Sequence, residues 1–368
     1  MQVKDIARAL EAVAPKTLQE EWDNVGLMVG NPEAEVKKIL LALTPSEDIL
    51  DEAVRLGADM VVSHHPFIFK AMKNMTTESA LGRMVHKAIK NDVAIYSAHT
   101  NLDIAQGGVN DCLAQALGLG EVEGLVQTSA EHRFKLVVFV PEDAREKVKA
   151  AMFAAGAGAQ GAYSACAWET LGMGQFQPED GAQPFLGTCG QLEKVREVRL
   201  EVLVDAHNLD GVVNAMKEAH PYEEVAYDVF DNGSLGQTHY LGRIGTLKEA
   251  TPLGAWLEQV KTILSVPVLS YVGDENTLIK KVALCGGSAC EFMSAAQARG
   301  ADVYLTGDMK YHDAQAAAEC GMCMVDGSHF ATEIFVLKAV KTLLEASFRD
   351  ALDVTIADNE RSFIKYKV

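Results

Sequence analysis

The stretch ILLALTPSEDILDEAVRLGADMVVSHHP, at residues 39–66, decides the fold. Its two ends are short apolar runs, ILLAL (39–43) and DMVVS (59–63), and the segment between them, SEDILDEAVRLG, has helical character. A third apolar run, VAIYSA (93–98), follows a second helical segment, SALGRMVHKAIKN. Buried strands that alternate with amphipathic helices are typical of an α/β sheet with parallel strands.

The middle of the chain, residues 129–235, has a different order of predicted strands and helices. Its pattern predicts the order strand, helix, strand, strand, helix, strand, in which the strands are RFKLVVFV, AYSACAWETL, VREVRLEVLV and EEVAYDVF. A ferredoxin-like α+β sandwich requires this order. The alternation of buried strands and amphipathic helices resumes from about residue 236. We therefore predict one α/β domain, formed by residues 1–128 and 236–368 and interrupted by an inserted ferredoxin-like domain at 129–235.

The charge balance limits the class of partner. The 368 residues include 51 acidic and 33 basic side chains, so the formal net charge is −18. Hydrophobic residues make up 48% of the chain and charged residues 23%, which is a globular composition and excludes wholesale disorder. Basic residues cluster only in pairs such as Lys37–Lys38. Direct binding to nucleic acid is therefore not expected, although local groups are enough to hold a small nucleotide.

The sequence also predicts a cytoplasmic protein. No apolar run reaches the roughly 18–20 residues of a membrane helix, and the start, MQVKDIARALEAVAP, lacks the apolar core of a signal peptide. We expect no membrane partner. The seven cysteines are odd in number and scattered, which suits reduced thiols. They are Cys112, Cys166, Cys189, Cys285, Cys290, Cys320 and Cys323.

Two adjacent histidines follow the predicted strand DMVVS. His64 and His65 stand between that strand and Pro66, which forces the chain out of regular structure. Adjacent side chains on a regular strand point to opposite faces. The pair can therefore share one site only where the strand breaks, and it would more naturally bind two different ions. A simple pair of loop histidines is the alternative.

A histidine and a carboxylate follow the next strand, in YSAHTNLD. His99 and Asp103 are four residues apart, so a turn of helix would aim both side chains in one direction. The alternative is a capped helix start without chemistry, in which Thr100 or Asn101 is the cap.

A third site of the same kind lies in VDGSHFATE. Its strand ends at Asp326, Gly327 allows a tight turn, and His329 and Glu333 follow on a helix at the i,i+4 spacing that lets two side chains hold one ion. A capping role for Asp326 or Ser328 is the alternative, and it leaves His329 unexplained.

Together the three sites predict a metal centre. Each follows a strand at its carboxyl end, the edge where open α/β sheets bind ligands. Imidazole and carboxylate ligands without thiolate suit zinc, iron or manganese in a catalytic site. Three histidines and two carboxylates are too many for one open zinc site and about right for two metals. Such a centre activates water for hydrolysis.

Five motifs carry a resemblance to a known family. WDNVGL (22–27), SHHP (63–66), HTNLD (99–103), TGDMKYHDA (306–314) and DGSHFATE (326–333) occur in order along the chain. In order and spacing they resemble the GTP cyclohydrolase I type 2 family, also called the NGG-one-interacting-factor-three-like family. The resemblance covers essentially the whole chain.

The resemblance implies a ligand set for two divalent metal ions per subunit. His64 and His329 would hold one metal, His65 and Asp103 the other, and Glu333 would bridge them. Zinc, iron and manganese all suit these ligands.

The resemblance also implies a reaction and an assembly. His99 and His312 look like general acid/base groups, and metal-activated water would open the imidazole ring of GTP with release of formate. The assembly would be a toroidal homohexamer, and residues 129–235 look like the PII/CutA-like insert of the longer bacterial members. A second function stays open, namely a non-catalytic, ring-shaped metal-binding adaptor or regulatory protein whose insert senses a ligand or gates the cavity.

The sequence departs from the family pattern at two places. Thr44 follows LLAL where many members carry an acidic residue, and Ala289 follows Ser288 where the family usually has glycine. The turn in VALCGGSA still predicts a weak anion site at a helix start. CGMC (320–323) has the Cys-x-x-Cys spacing without the further ligands of a zinc site, and we interpret it as core packing.

Overall fold

The computed structural model describes residues 1–130, 132–233, 236 and 238–367. The chain folds as two compact units, one of Met1–Ser129 with His239–Val368 and one of Ala130–Thr238. Residue 235, at which we placed the end of the insert, lies outside the described residues. No helix within the described ranges is long and apolar enough to cross a membrane.

The elements are numbered in chain order. The strands are β1 (Gly26–Val29), β2 (Lys38–Ala42), β3 (Met60–Ser63), β4 (Ala94–Ser97), β5 (Gly120–Ala130), β6 (Arg133–Pro141), β7 (Ala167–Phe176), β8 (Glu193–Asp205), β9 (Tyr227–Asp231), β10 (Thr238–Pro252), β11 (Ser270–Val272), β12 (Leu278–Ser288), β13 (Val303–Gly307), β14 (Cys323–Asp326) and β15 (Asp353–Ile356). The helices are α1 (Val3–Val13), α2 (Glu47–Leu56), α3 (Ala80–Lys90), α4 (Thr100–Ile104), α5 (Val109–Ala116), α6 (Arg145–Ala154), α7 (Leu209–Ala219), α8 (Leu253–Leu264), α9 (Met293–Ala298), α10 (Tyr311–Cys320), α11 (His329–Glu333) and α12 (Val336–Phe348). Short 3-10 helices lie at Lys16–Leu18, Glu142–Ala144, Ala206–Asn208, Cys290–Phe292 and Arg349–Ala351.

The first sheet of the first unit has the strand order β1-β4-β3-β2-β15. Strands β15, β2, β3 and β4 run parallel, and β1 pairs antiparallel with β4. Between β2 and β3, α2 begins where the Ser46 side chain accepts a hydrogen bond from the Ile49 amide, and it ends at Gly57 in the left-handed conformation. The parallel strands predicted from residues 39–66 are confirmed.

The second sheet of this unit has the order β11-β14-β13-β12-β10-β5. Its central strands β12, β13 and β14 are parallel, whereas β10 and β11 pair antiparallel with their neighbours β12 and β14. The two ends of the chain therefore build two sheets, which the sequence pattern did not resolve. They are linked by β15, which follows the second sheet in the chain but pairs with β2 of the first sheet.

The carboxyl ends of four parallel strands supply the residues discussed below. Strand β3 ends just before His64, β4 shortly before His99, β13 just before Asp308 and β14 shortly before His329. Helices α1 and α12 share one apolar core with the first sheet, and α8 packs against the second sheet. Packed helices hold both sheets rigid, so these strand ends are fixed in position.

The second unit is a four-stranded sheet in the order β7-β8-β6-β9, antiparallel throughout. Helices α6 and α7 share an apolar core with β6 and β8. The strand predicted as AYSACAWETL starts later than expected, at Ala167. Its predicted first half is not extended, because Ala165 takes φ = 56° and the Cys166 amide donates to the carbonyl of Gly158.

Candidate metal centre

The strand break predicted at His64 and His65 places the two imidazoles side by side. The backbone amides of His64 and His65 still donate to the carbonyls of Ala42 and Leu43, at 3.1 and 2.8 Å. The Ser63 hydroxyl then donates to the carbonyl of His65 at 2.9 Å and tightens the turn. The two ring centroids lie 5.1 Å apart. Both side chains consequently face the same region beyond the sheet edge.

Helix α4 turns His99 and Asp103 toward that region. His99 is the residue before the helix, and its carbonyl accepts from the Asp103 amide at 3.0 Å. The alternative of a helix capped by Thr100 or Asn101 is wrong, because the Thr100 hydroxyl bonds to Asp23 and the Asn101 amide bonds to the carbonyl of Ala14. The turn of α4 therefore positions the side chains of His99 and Asp103.

The turn before α11 differs from the expected one. Ser328 takes the left-handed conformation with φ = 72°, whereas Gly327 does not. Gly327 is needed for packing, because a Cβ there would lie 2.7 Å from Leu264 Cδ1. Asp326 supports the turn by accepting from the amides of Ser328 and Met309 at 2.8 and 3.0 Å. Asp326 therefore supports the turn, and the same turn places the side chains of His329 and Glu333 in the site.

The buried carboxylate of Glu333 lies between two groups of donors. Glu333 Oε2 is 2.9 Å from His65 Nε2 and 3.4 Å from His329 Nε2. Glu333 Oε1 is 3.7 Å from His64 Nε2, which in turn is 3.6 Å from Asp103 Oδ1. Within each group the donor atoms lie within 4.8 Å of one another. Each oxygen of Glu333 thus faces a different group, as in a carboxylate that bridges two ions.

The donors are paired differently from the arrangement that the resemblance implied. His64 shares a group with Asp103, and His65 shares a group with His329, so the two partners are exchanged. The cause is the direction of the adjacent histidines, because His64 faces α4 while His65 faces α11. His99 also lies within 4.8 Å of the donor atoms of His64 and His65. Its ring is therefore part of the cluster.

The buried His64 ring is prepared to bind a cation. Its Nδ1 is 2.9 Å from the carbonyl of Ala98, so Nδ1 carries the proton and donates. In the neutral ring Nε2 then has a free lone pair, and this buried atom has no hydrogen-bond partner among the described residues. A buried polar atom without a partner is costly, and a metal ion would satisfy it. The donor set therefore fits a metal centre.

Two outer carboxylates orient rings of the cluster. Asp308 Oδ2 accepts from His329 Nδ1 at 2.8 Å, and Asp23 Oδ1 accepts from His99 Nδ1 at 2.9 Å. Such partners fix the tautomer of a metal-binding imidazole and raise its basicity. Sequence reasoning missed both carboxylates, although Asp308 stands in TGDMKYHDA and Asp23 in WDNVGL. Their positions inside these two motifs were the signal by which the sequence could have revealed them.

A hydroxyl takes the corresponding place beside His65. Thr44 Oγ1 lies 2.7 Å from His65 Nδ1. The first departure from the family pattern is therefore in contact with a predicted ligand. A neutral hydroxyl polarises the ring less than a carboxylate does, so His65 has weaker outer support than His329 and His99.

The charges of the cluster are strongly coupled. Burial lowers the pKa of His64, but the nearby carboxylates of Asp103 and Glu333 outweigh it and raise the pKa to about 9. Burial raises the pKa of Asp103 to about 6. Burial also disfavours the charged form of Glu333, yet the imidazoles beside it hold its pKa well below the usual range. Carboxylate charge inside this buried cluster thus requires a cation, either a proton on imidazole or a metal ion.

The turn in VALCGGSA serves this cluster and not an anion. Gly287 has φ = 70°, and a Cβ there would lie 2.3 Å from Glu333 Oε1. The amides of Gly287 and Gly286 donate to Thr332 Oγ1 and Asn110 Oδ1. Both amides already have hydrogen-bond partners, so they do not form the predicted anion site. The lack of a side chain at Gly287 leaves space for the Glu333 carboxylate.

A cavity of about 580 Å³ opens beside the cluster. Trp22 and Phe69 line it at 60% and 45% exposure, with their ring centroids 6.0 Å apart. The exposure of Trp22 shows that this ring belongs to the cavity wall and is not a packing anchor. Glu20 and Glu291 also line the cavity, whereas none of its described lining residues is Lys or Arg.

The structure does not bring His312 to the cluster. His312 is exposed on α10, where its ring contacts Tyr311 and its Nδ1 lies 3.5 Å from Gln315 Oε1. The pair Cys320 and Cys323 is also separate, since neither thiol belongs to a group of metal donors within the described residues.

Comparison with known proteins identifies relatives over nearly the full length. The model of the Duf34/NIF3 (NGG1p interacting factor 3) family matches residues 1–362. Proteins named GTP cyclohydrolase 1 type 2 homolog are 42% identical in Halalkalibacterium halodurans, over 94% of this chain and 92% of theirs, and 42% identical in Bacillus subtilis, over 90% and 89%. The crystal structure of a Bacillus cereus protein related to NIF3 matches with a TM-score of 0.86 at 40% identity, covering 100% of this chain and 99% of that one.

Proposed function

Because this chain belongs to the Duf34/NIF3 family, we propose that it is a dinuclear metal-dependent hydrolase acting on a nucleotide or a related heterocycle. One observation carries the proposal. The two oxygens of Glu333 face two separate groups of histidine and carboxylate donors at the rim of an open cavity. The relatives named GTP cyclohydrolase 1 type 2 homolog make GTP the first substrate to test.

The proposed ligands follow the observed groups. His65 and His329 would hold one divalent ion, His64 and Asp103 the other, and Glu333 would bridge them. Zinc, iron and manganese all accept this donor set. When bound, two such ions lower the pKa of coordinated water toward neutrality and polarise the substrate.

We assign proton transfer to His99. Its Nδ1 donates to Asp23, so its Nε2 is free to take a proton from water or to deliver one to the substrate. Asp23 suits this role because hydrogen bonds from His99 and Thr100 outweigh its burial and lower its pKa to about 2, which keeps it ionised. Opening an imidazole ring requires a proton on the departing nitrogen as the bond to the ring carbon breaks. His99 is placed at the cavity to supply that proton.

The aromatic residues at the cavity would position the ring. The Trp22 ring meets Phe69 and His99 edge to face, both with centroids 6.0 Å apart, and the 60% exposed residue leaves ring surface in the cavity for a planar heterocycle. Stacking on an aromatic face is tolerant of the base that stacks. This supports a heterocyclic substrate without selecting guanine.

A metal-replete substrate screen tests the proposal. Formate and phosphate release are measured across nucleotides and nucleosides for the wild-type protein, His65→Ala and His312→Ala. We expect His65→Ala to abolish turnover and leave the secondary structure and assembly intact, whereas His312→Ala, outside the cluster, should stay near the wild-type rate. Unchanged turnover in His65→Ala would reject the assignment.

One observation favours a second candidate, a non-catalytic metal-binding adaptor. A triphosphate entering the cavity would meet Glu20 and Glu291 and no lysine or arginine of the described lining. If metal-replete protein hydrolyses no nucleotide or nucleoside, and removal of the metal by chelation lowers the melting temperature by many degrees, the metals have a structural role.

We propose that the second unit is the ferredoxin-like, PII/CutA-like insert. Its chain order, β6-α6-β7-β8-α7-β9, and its sheet order, β7-β8-β6-β9, support a ferredoxin-like topology. We also propose the toroidal homohexamer, on the resemblance alone, and the mass of the particle by analytical ultracentrifugation tests it.

A further inference from the structure

The second unit contains a cavity of about 340 Å³ with an unusual lining. Aromatic rings and carboxylates face it together, and none of its described lining residues is Lys, Arg or His. The rings belong to Phe176, Phe185 and Tyr222. The carboxylates belong to Glu179, Glu197, Glu223 and Glu224. This volume lies within the roughly 300–1,000 Å³ of small-molecule sites in general.

The three rings surround a common space and do not stack on one another. The Tyr222 centroid is 5.7 Å from that of Phe176 at an interplanar angle of 63°, and 6.3 Å from that of Phe185 at 49°. All three rings line the same cavity, so their π-systems are available to one bound group. That arrangement attracts a cation whose charge is spread over carbon and hydrogen.

The charged side chains of the lining are all carboxylates. The Tyr222 hydroxyl lies beside Glu197, and burial together with the negative charge of Glu197 raises the pKa of Tyr222. The phenol is therefore neutral and does not balance the charge of Glu197, and none of the described lining residues is Lys, Arg or His. The cavity thus has a negative potential that a cation would balance.

The cavity is held in shape before any ligand binds. His220 Nε2 donates to the carbonyl of Phe139 at 3.1 Å, and His220 Nδ1 accepts from the Tyr222 amide at 3.1 Å. The Gln183 amide donates to Glu223 Oε1 at 2.8 Å and ties down the loop that carries Phe185. A preorganised site binds with a smaller loss of conformational entropy.

Gly174 provides the room for the Glu197 carboxylate. A Cβ on Gly174 would lie 1.9 Å from Glu197 Oε2, so a side chain there would displace the carboxylate from its place in the cavity. The carboxylates of this cavity do not form a metal site, because all groups of metal donors found among the described residues lie in the first unit. The rings therefore decide what kind of cation fits.

We propose that this cavity of the second unit binds a small organic ammonium ion. The rings of Phe176, Phe185 and Tyr222 surround its alkyl groups, and Glu197 balances its charge. This site is independent of the metal centre and of the proposed hydrolysis.

Calorimetry on the full chain tests the proposal with choline as the probe. The protein is first freed of metal and dialysed, so that the donors of the first unit hold no ion. Dimethylbutanol, the neutral carbon isostere of choline, is titrated in parallel. We expect saturable binding of choline and at least about tenfold weaker binding of the neutral isostere, since only the charged probe gains the cation–π and carboxylate terms. Equal affinity for both probes, or no saturable binding of choline, overturns the proposal.

Variants locate the binding. Glu197→Gln removes one charge with little change in shape, and Phe176→Leu removes one ring; each should weaken choline binding about tenfold. Glu218→Gln, an exposed position on α7, is the matched control and should bind as the wild type does. If Phe176→Leu fails to fold, Glu197→Gln still decides the matter. Loss of choline binding in Trp22→Leu and not in Glu197→Gln would place the cation in the other cavity and overturn the assignment.

Discussion

The two cavities of this chain use the same residue types, aromatic rings and carboxylates, yet we propose that they bind different cations. In the first unit imidazole nitrogens lie 2.9 to 3.7 Å from Glu333, so donors converge at the short distances that a metal ion needs. In the second unit Glu197 has rings and no imidazole among its neighbours in the cavity lining. The difference shows that converging nitrogen donors, and not acidity, decide between a metal ion and a diffuse organic cation.

The largest effect is expected from a substitution in the proposed metal centre of the first unit. Glu333→Gln keeps the shape of the bridging side chain but removes the charge between the two donor groups. We expect the variant to retain neither ion after dialysis, measured as metal content by mass spectrometry. Glu197→Gln makes the same change in the second unit and should keep the full metal content. Equal metal content in the two variants would contradict the comparison.

The next effect concerns the outer support of the rings. Asp308→Asn should weaken metal binding about 10- to 100-fold, because a neutral amide no longer enhances the basicity of His329. Asparagine tolerates the φ of 58° at this position, so the backbone is preserved. Metal titrations against a competing chelator measure the change.

Asp23→Asn is the matched comparison for that variant. Asp23 orients His99, which we assign to proton transfer and not to metal binding. The Asp23→Asn protein should therefore bind metal as tightly as the wild type while its turnover falls. A parallel loss of metal affinity would instead make His99 a ligand.

Local sequence was enough for the strands and helices that lead to the site. The run before His64 and the cap at Ser46 are local signals, and both elements form as predicted. The pairing of β15 with β2 joins residues more than 300 positions apart, such as Val354 and Ile39, and no local pattern reports it. The split of the first unit into two sheets escaped prediction for the same reason.

The site was predictable in its donors and not in their partners. Strand ends and i,i+4 spacing singled out six side chains that the structure brings together, namely the five proposed ligands and His99. The direction of each ring depends on remote contacts, such as His65 with Thr44 and His99 with Asp23, which is 76 positions away. Spacing along the chain therefore could not show which donors lie together, and it could not show that Asp23 contacts His99.

A smaller effect is expected from the aromatic wall of the first cavity. Trp22→Leu should raise KM for a heterocyclic substrate and leave kcat nearly unchanged, since stacking contributes about 1–3 kcal/mol per base. Tyr311→Leu, at a 79% exposed ring outside the cavity, is the control and should not change KM. Unchanged KM in Trp22→Leu would remove the stacking argument and leave the metal centre as the only support for a heterocyclic substrate.

The partly buried carboxylate of Glu360 extends the comparison, because it belongs neither to the metal-donor groups nor to the cavity lined by rings. Its Oε1 accepts from the Leu43 amide at 2.8 Å, and burial raises its pKa from 4.5 to about 7. The folded chain therefore binds this proton more tightly than the unfolded chain does. The resulting stabilisation is complete below about pH 4.5 and is lost as the pH rises through about 7.

Glu360→Gln should remove this pH dependence and retain the hydrogen bond from Leu43. Because Glu360 is only partly buried, the slope that it contributes should stay below the limit of about 1.4 kcal/mol per pH unit. Denaturant unfolding of metal-free wild type and variant at pH 5 and pH 8 measures the difference. If both proteins lose the same free energy of unfolding over this range, a proton does not neutralise Glu360. The pKa of Glu360 would then be the same in the folded and the unfolded chain, and burial would not raise it.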